Sequence, residues 1–204
     1  MTMNAGNVII LIIITIAISC MIYEIYSDSR TDPGASRINY RIENTRFAMR
    51  KSQNEKNIIY AIRLIHHRIK ILREYLMNNI DRYPEYRSHI KSLIEGTEKI
   101  NIDENIDPVG TDSTSYTINK GETIVVCFRS SKNNKLHDIN TIMYVVIHEL
   151  SHIACPDDGH TQLFWDIFTF LLKISAKLGI YNLVDYKSNP QEYCGIVINE
   201  NLVA

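Results

Sequence analysis

Val8 to Tyr23 (VIILIIITIAISCMIY) forms an apolar run without a charged residue, bracketed by Asn7 and Glu24. Its sixteen residues would span about 24 Å as a helix. With Ala5-Gly6 and Ile25-Tyr26 alongside, that approaches the thickness of a bilayer core. The run predicts a transmembrane anchor over residues 1–26, touching the membrane through residues 8–26. A cleaved signal peptide would want a basic start, which Met1 to Asn7 lacks, and Ala17-Ile18-Ser19-Cys20 is a poor lipobox. Ser27 to Ser36 is a polar linker with Pro and Gly. Further on, Ile58, Ile62, Ile65, Ile69, Leu72 and Leu76 recur at alternating spacings of four and three, a heptad seam of nearly three repeats. Residues 27–96 are therefore expected to be a linker and a basic amphipathic helical region. The seam suits either a long helix packed on the domain or a stalk that pairs two copies through residues 58–76. Asp81 to Gly96 reads as a turn and a shorter helix from Pro84, with Gly96 at its end.

The pattern changes after residue 97. Asp107-Pro108-Val109-Gly110 marks a turn, and Ser115 to Ile118 alternates toward Asn119-Lys120-Gly121. Thr123 to Phe128 is a short β-branched run, so a hairpin is expected here. Asp138 is a good N-cap for a helix from Ile139 to about Ala154. Cys155 to Gly159 breaks that helix. A second helix, Thr161 to Leu178, follows with Leu163, Phe164, Ile167, Phe170, Leu171, Ile174 and Leu178 at helical spacing and Gly179 ending it. Phe164, Trp165, Phe168 and Phe170 are expected in the core. Cys194-Gly195 followed by Ile196 to Ile198 predicts a closing strand. The fold class is α+β: a transmembrane helix (1–26), an amphipathic helical stalk (27–96), and a domain over 97–204 in which a small sheet packs on the first of these helices.

Composition refines this outline. The 204 residues are 45% hydrophobic and 22% charged, as in a globular chain rather than a disordered one. The formal net charge of −1 points to no polyanionic partner. It conceals an asymmetry, with fourteen Lys/Arg against six Asp/Glu from Arg30 to Lys91, and eight against fifteen from Ser92 onward. The positive charge that follows the apolar run predicts a single-pass membrane protein whose C-terminal domain faces the cytoplasm. The basic helix lacks interleaved aromatics and any nucleic-acid motif, so no nucleic-acid partner is indicated. Cys20, Cys127, Cys155 and Cys194 form no CxxC pair and no disulfide framework. They leave room for one bridge among the last three, and a reducing compartment fits them best. The richness in Ile and Asn is that of an AT-rich genome.

The chemistry concentrates at His148-Glu149-Leu150-Ser151-His152. On a helix, His148 and His152 lie one turn apart on one face, where two imidazoles can share a tetrahedral zinc. Glu149 stands beside them, placed to polarise a water rather than to ligate. His160, after the Gly-containing turn, is positioned to swing back as a third ligand, leaving the fourth position open. Glu192, Asp157, Asp158, Cys155 and His137 are the rivals for that role. His66-His67 is a poor chelate, since adjacent helical residues point about 100° apart.

His148-Glu149-Leu150-Ser151-His152, followed by Gly159-His160 and Phe164-Trp165, resembles the compact HExxH zinc metallopeptidases (zincins) of the WLM and SprT-like type. The resemblance covers roughly Tyr116 to Leu178 and implies a minimal zincin domain. It implies Zn²⁺ on His148, His152 and His160, with Glu149 as the general base. It assigns the substrate-binding edge strand, which adds an extended peptide by β-augmentation, to Thr123, Ile124, Val125, Val126, Cys127 and Phe128. Tyr186 and Tyr193 are the candidates for a transition-state-stabilising hydroxyl. A membrane span joined to such a domain also resembles proteins encoded by large DNA viruses, which adds a virion membrane as a location. The function expected is a membrane-tethered zinc endopeptidase acting on a protein or peptide. The alternative is a non-catalytic membrane or virion structural protein that uses the zincin-like fold as a scaffold.

Overall fold

The computed structural model describes residues 37–42, 45–51, 55–106, 114–130 and 132–200. Arg37–Ile42 (β1) and Thr45–Arg50 (β2) form an antiparallel hairpin in the register Ile38↔Met49 and Tyr40↔Phe47. Glu55–Asn79 (α1) follows, then two 3₁₀ turns and Arg87–Gly96 (α2). Asn101–Glu104 (β3), Tyr116–Ile118 (β4) and Thr123–Val126 (β5) make a three-stranded sheet in the order β3-β5-β4. β3 runs parallel to β5, and β4 antiparallel to it. Ile139–Ala154 (α3) and Gln162–Lys177 (α4) come next, and Gln191–Tyr193 (β6) pairs with Ile196–Ile198 (β7) in a final hairpin.

Each element of the site-bearing half forms for a local reason. Asn119 and Lys120, at φ 49° and 48°, and Gly121, at φ 119°, reverse the chain between β4 and β5, and Ile118 pairs with Thr123 across the turn. Asp138 caps α3 by accepting from Asn140 N at 2.8 Å. Thr161 caps α4 by accepting from Phe164 N at 3.3 Å. Both helices are rich in buried aliphatic and aromatic side chains, because α3 is covered on most of its circumference: Ile142, Met143, Val146, Ile147, Leu150 and Ile153 all enter the core.

Of the two arrangements that the heptad seam allows, the packing matches the long helix laid on the domain. Ile58, Ile62, Ile65, Ile69, Leu72 and Leu76 are all buried and belong to the same apolar cluster as α3 and α4. The seam is buried inside the chain's own core. A heptad pattern states that one face is covered, not by what. The β1–β2 hairpin, which falls within the stretch read as linker and helix, is joined to the sheet by side chains. Ala48 N donates to Asp103 Oδ1 (2.9 Å) and Arg50 N to Glu104 Oε2 (2.7 Å). Glu104 also holds Arg129 Nε at 3.0 Å, with each side chain 1% exposed. Gly96 serves close approach rather than a left-handed cap: a Cβ there would collide with Ile153 and come within 2.8 Å of Lys120 O.

The transmembrane anchor is corrected. The run at 8–26 lies outside the described residues, and among the described residues no helix is long and apolar enough to cross a membrane. The architecture is an α+β domain with small sheets, without a spanning helix among its described elements, and the single-pass placement with a cytoplasm-facing domain is not retained.

Candidate metal centre

α3 carries His148 and His152 on successive turns of one face, with Glu149 next to the first. The helix ends at Ala154, and Cys155 turns extended while its N–H still donates to Ser151 O at 2.8 Å. Gly159, at φ 77°, lets the chain double back before Thr161 starts α4. The Thr161 hydroxyl donates to Asp157 Oδ2 at 2.8 Å, closing this turn. His160 sits between the two helices and returns its ring to α3. The three Nε2 atoms stand 3.2 Å (His148–His152), 3.2 Å (His152–His160) and 3.0 Å (His148–His160) apart.

That spacing fits a cation. Three nitrogens around a tetrahedral zinc at about 2.0–2.1 Å stand about 3.3–3.4 Å from one another. Hydrogen bonding cannot account for the trio instead. Each neutral Nε2 either donates or accepts, so at least one of the three pairs sets like against like. Burial first, and the neighbouring imidazoles second, push His148 down to about 3. Burial and then His160 push His152 down to about 4. Both rings are therefore neutral at pH 7 and can offer lone pairs to a metal. Zinc suits three imidazoles and an open position.

The surroundings hold the rings in place. Phe164 is fully buried, and its ring centroid lies 4.9, 4.3 and 4.7 Å from those of His148, His152 and His160. Trp165 stacks on His160 at 5.5 Å, and Phe168 meets His148 edge-on at 5.2 Å. These aromatics, expected to be plain core, are also the wall behind the imidazoles. Glu149 is only 5% exposed. Desolvation pushes its carboxyl up to about 7 against the opposing pull of the Thr117 hydroxyl, which donates to Oε2 at 2.9 Å. A cavity of about 300 Å³ opens over His148, Glu149 and His160, with Tyr144 and Trp165 in its walls and Ile196, Val197 and Ile198 of β7 on the far side.

The structure brings His148, Glu149, His152 and His160 together and separates other expected participants. Thr123 to Phe128 is not a free edge: Thr123–Val126 is the central strand, paired with β3 on one side and β4 on the other. Among the described residues β4 is an outer strand with no partner on its far side, and in it Tyr116 and Ile118 are exposed while Thr117 points inward. Tyr193 lines the cavity. Its hydroxyl lies 2.7 Å from Ser115 Oγ and accepts from Cys127 N at 3.1 Å, and burial pushes its pKa up. Tyr186 packs under Tyr144, centroids 4.8 Å apart, and is not among the residues lining the cavity. Of the rival ligands, His137 gathers with Cys127 and Cys194, whose sulfurs are joined as a disulfide, while Cys155 is buried and free. Glu192 accepts from Gly195 N at 2.8 Å. Sequence reasoning missed Thr117 as the partner of Glu149, although its alternation with Tyr116 and Ile118 sets it on the inner face.

The described residues define an α+β fold with a three-histidine cleft whose spacing suits a metal ion. No protein-family model matches the chain. An uncharacterized protein of Acanthamoeba polyphaga mimivirus is 40% identical over 196 residues, covering 96% of this chain and 98% of its own length; this chain belongs to the same family, a family of virus-encoded proteins. Uncharacterized proteins of Invertebrate iridescent virus 3 and Invertebrate iridescent virus 6 are each 37% identical, over 103 and 82 residues, covering 50% and 39% of this chain and 62% and 44% of theirs. A crystal structure of a Wss1 mutant from S. pombe aligns at 24% identity with a TM-score of 0.33, over 46% of this chain and 85% of that one. A likeness of that degree carries no argument about this chain.

Proposed function

We propose that the chain is a zinc-dependent metallopeptidase, acting on a protein or peptide through His148, His152, His160 and Glu149. The observation that supports this most directly is the convergence of the three Nε2 atoms to within 3.0–3.2 Å beside a buried carboxylate that is not part of the trio. Bound there, zinc supplies Lewis acidity, polarising a carbonyl and lowering the pKa of water. The chain's own residues do the rest. Phe164 and Trp165 fix the imidazoles from behind. Thr117 holds Glu149 Oε2, leaving Oε1 to take a proton from the attacking water and pass it to the departing amine. An extended substrate adds to the open edge of β4, so that its backbone runs past Glu149 while a side chain enters the cavity between Tyr144 and β7.

The test is Glu149→Gln in the full chain. The variant should keep one zinc per chain and lose about 10²- to 10⁴-fold in peptide hydrolysis. Equal turnover by the variant and the parent would remove Glu149 from the chemistry, and a parent without zinc would remove the metal.

A further inference from the structure

β7 forms one wall of the cleft yet has little of its own to hold it there. The β6–β7 hairpin has three residues in each strand and, among the described residues, pairs with no third strand; an isolated two-stranded hairpin is marginal in water. Ile196 and Val197 face the cleft with 50% and 56% of their surface exposed, so in β7 only the far residue, Ile198, enters the core beside Tyr193 of β6. The fixed points gather at the turn instead. Cys194, at φ 49° next to Gly195 at φ 92°, is bonded to Cys127, 67 positions earlier. Cys127 lies immediately after β5, the central strand. Cys194 N donates to His137 Nε2 at 3.2 Å, and the neighbouring Tyr193 hydroxyl meets Ser115 Oγ and Cys127 N. Both bonded cysteines are buried, while the strand they secure reaches the rim of the cavity above His148, Glu149 and His160.

We infer that the Cys127–Cys194 disulfide is a redox-controlled tether that holds β7 as the substrate-side wall of the cleft, and that its reduction releases this wall while leaving the three-histidine site intact. The inference rests on the peptidase reading for its consequence in substrate binding, but the tether itself does not. A dithiol reductant opens it. The Sγ–Sγ bond takes two electrons and two protons to give two thiols, and the dithiol is oxidised to its own disulfide. The reduced hairpin keeps the Tyr193 and His137 hydrogen bonds and the bond of Glu192 to Ser130, and the exposed pair Ile196 and Val197 moves away from the cavity. An extended substrate then loses its apolar contact on that side, so KM rises more than kcat falls.

The test uses the full chain, prepared without reductant and then treated with dithiothreitol. Denatured and unreduced, it should show two titratable thiols, those of Cys20 and Cys155, with the peptides bearing Cys127 and Cys194 linked. Four thiols, or a thiol pair freed only by a chelator, overturn the tether. On reduction, backbone hydrogen exchange across residues 191–198 should accelerate roughly 30- to 1,000-fold, the typical worth of one cross-link expressed as an equilibrium ratio, with one zinc per chain retained. Cys194→Ser should exchange like the reduced parent and no longer respond to dithiothreitol. Unchanged exchange on reduction overturns the inference, as does loss of zinc, which would make the bond part of the metal site's support. An oxidised chain that passes the thiol and exchange measurements but cleaves no peptide refutes the peptidase reading and leaves the tether standing.

Discussion

Removing the ring of Phe164 separates two roles that the structure gives to one side chain. Phe164 is fully buried and packs on all three imidazoles at centroid distances of 4.3 to 4.9 Å. As a core residue, Phe164→Ala should cost about 3–5 kcal/mol of stability through lost burial and the cavity left behind. A domain of this kind has about 5–15 kcal/mol in total, so the variant remains folded unless the parent sits at the bottom of that range. The second cost falls on the metal. Without the ring, the imidazoles gain rotational freedom and water reaches their rear, and loss of such support typically weakens a site by about 10- to 100-fold. The two are read apart by urea unfolding with and without zinc, combined with chelator competition on the folded protein. Zinc at about 100 times its dissociation constant adds about 2.7 kcal/mol to the parent. At the same free zinc, the variant should gain only about 0.4–1.4 kcal/mol. Phe164→Leu, which keeps most of the volume, should recover most of the stability and only part of the affinity. If Phe164→Ala binds zinc within about twofold of the parent, a difference under about 0.5 kcal/mol, the ring is core packing alone and the trio is held by the backbone.

Other consequences are as direct. Thr117→Val removes the hydroxyl 2.9 Å from Glu149 Oε2; a hydrogen bond to a charged group is worth about 1.5–3 kcal/mol. Peptide hydrolysis should therefore fall about ten- to a hundredfold with zinc content unchanged, and undiminished kcat/KM would show that the carboxylate is positioned without it. Arg129→Met strands Glu104 in the core without its 3.0 Å partner. It should cost about 3–5 kcal/mol in denaturant unfolding, and the double variant with Glu104→Gln should recover part of that. Gly96→Ala sets two effects against each other. Helix propensity favours Ala by about 1 kcal/mol, but the new methyl collides with Ile153 and Lys120 O, and overpacking of this kind costs about 1–3 kcal/mol. The clash should win, and a higher midpoint in urea would contradict the close approach of α2 to α3.

The local features were legible in the sequence and the distant pairings were not. Asp138 as a cap, Ile139–Ala154 as a helix, and His148, Glu149 and His152 on one face follow from a period of 3.6 and from capping chemistry, which depend on neighbours in the chain. His160 was within reach because only twelve positions separate it from His148 and Gly159 marks the reversal. The strand order was out of reach. Thr123 to Phe128 reads as an edge or a centre equally well, and only the placement of β3 beside it decides. The seam from Ile58 to Leu76 states a covered face and leaves open what covers it, because core and coiled coil impose the same period; its burial in the core decides for the packed helix. The β1–β2 hairpin did leave a trace, the alternation of Ile38, Tyr40 and Ile42 with Arg37, Asn39 and Arg41, but the density of Arg drew it into the basic stalk. Cys127 and Cys194 lie 67 positions apart, and no local rule pairs them.

The account turns on whether three imidazole nitrogens share one cation. Zinc-edge X-ray absorption on the full chain, prepared with stoichiometric zinc, reads the donor set directly. It should report three histidine nitrogens at about 2.0–2.1 Å and no sulfur. A sulfur shell near about 2.3 Å would move the metal to the cysteines, and a spectrum of free aqueous zinc would leave the histidine trio without its ion.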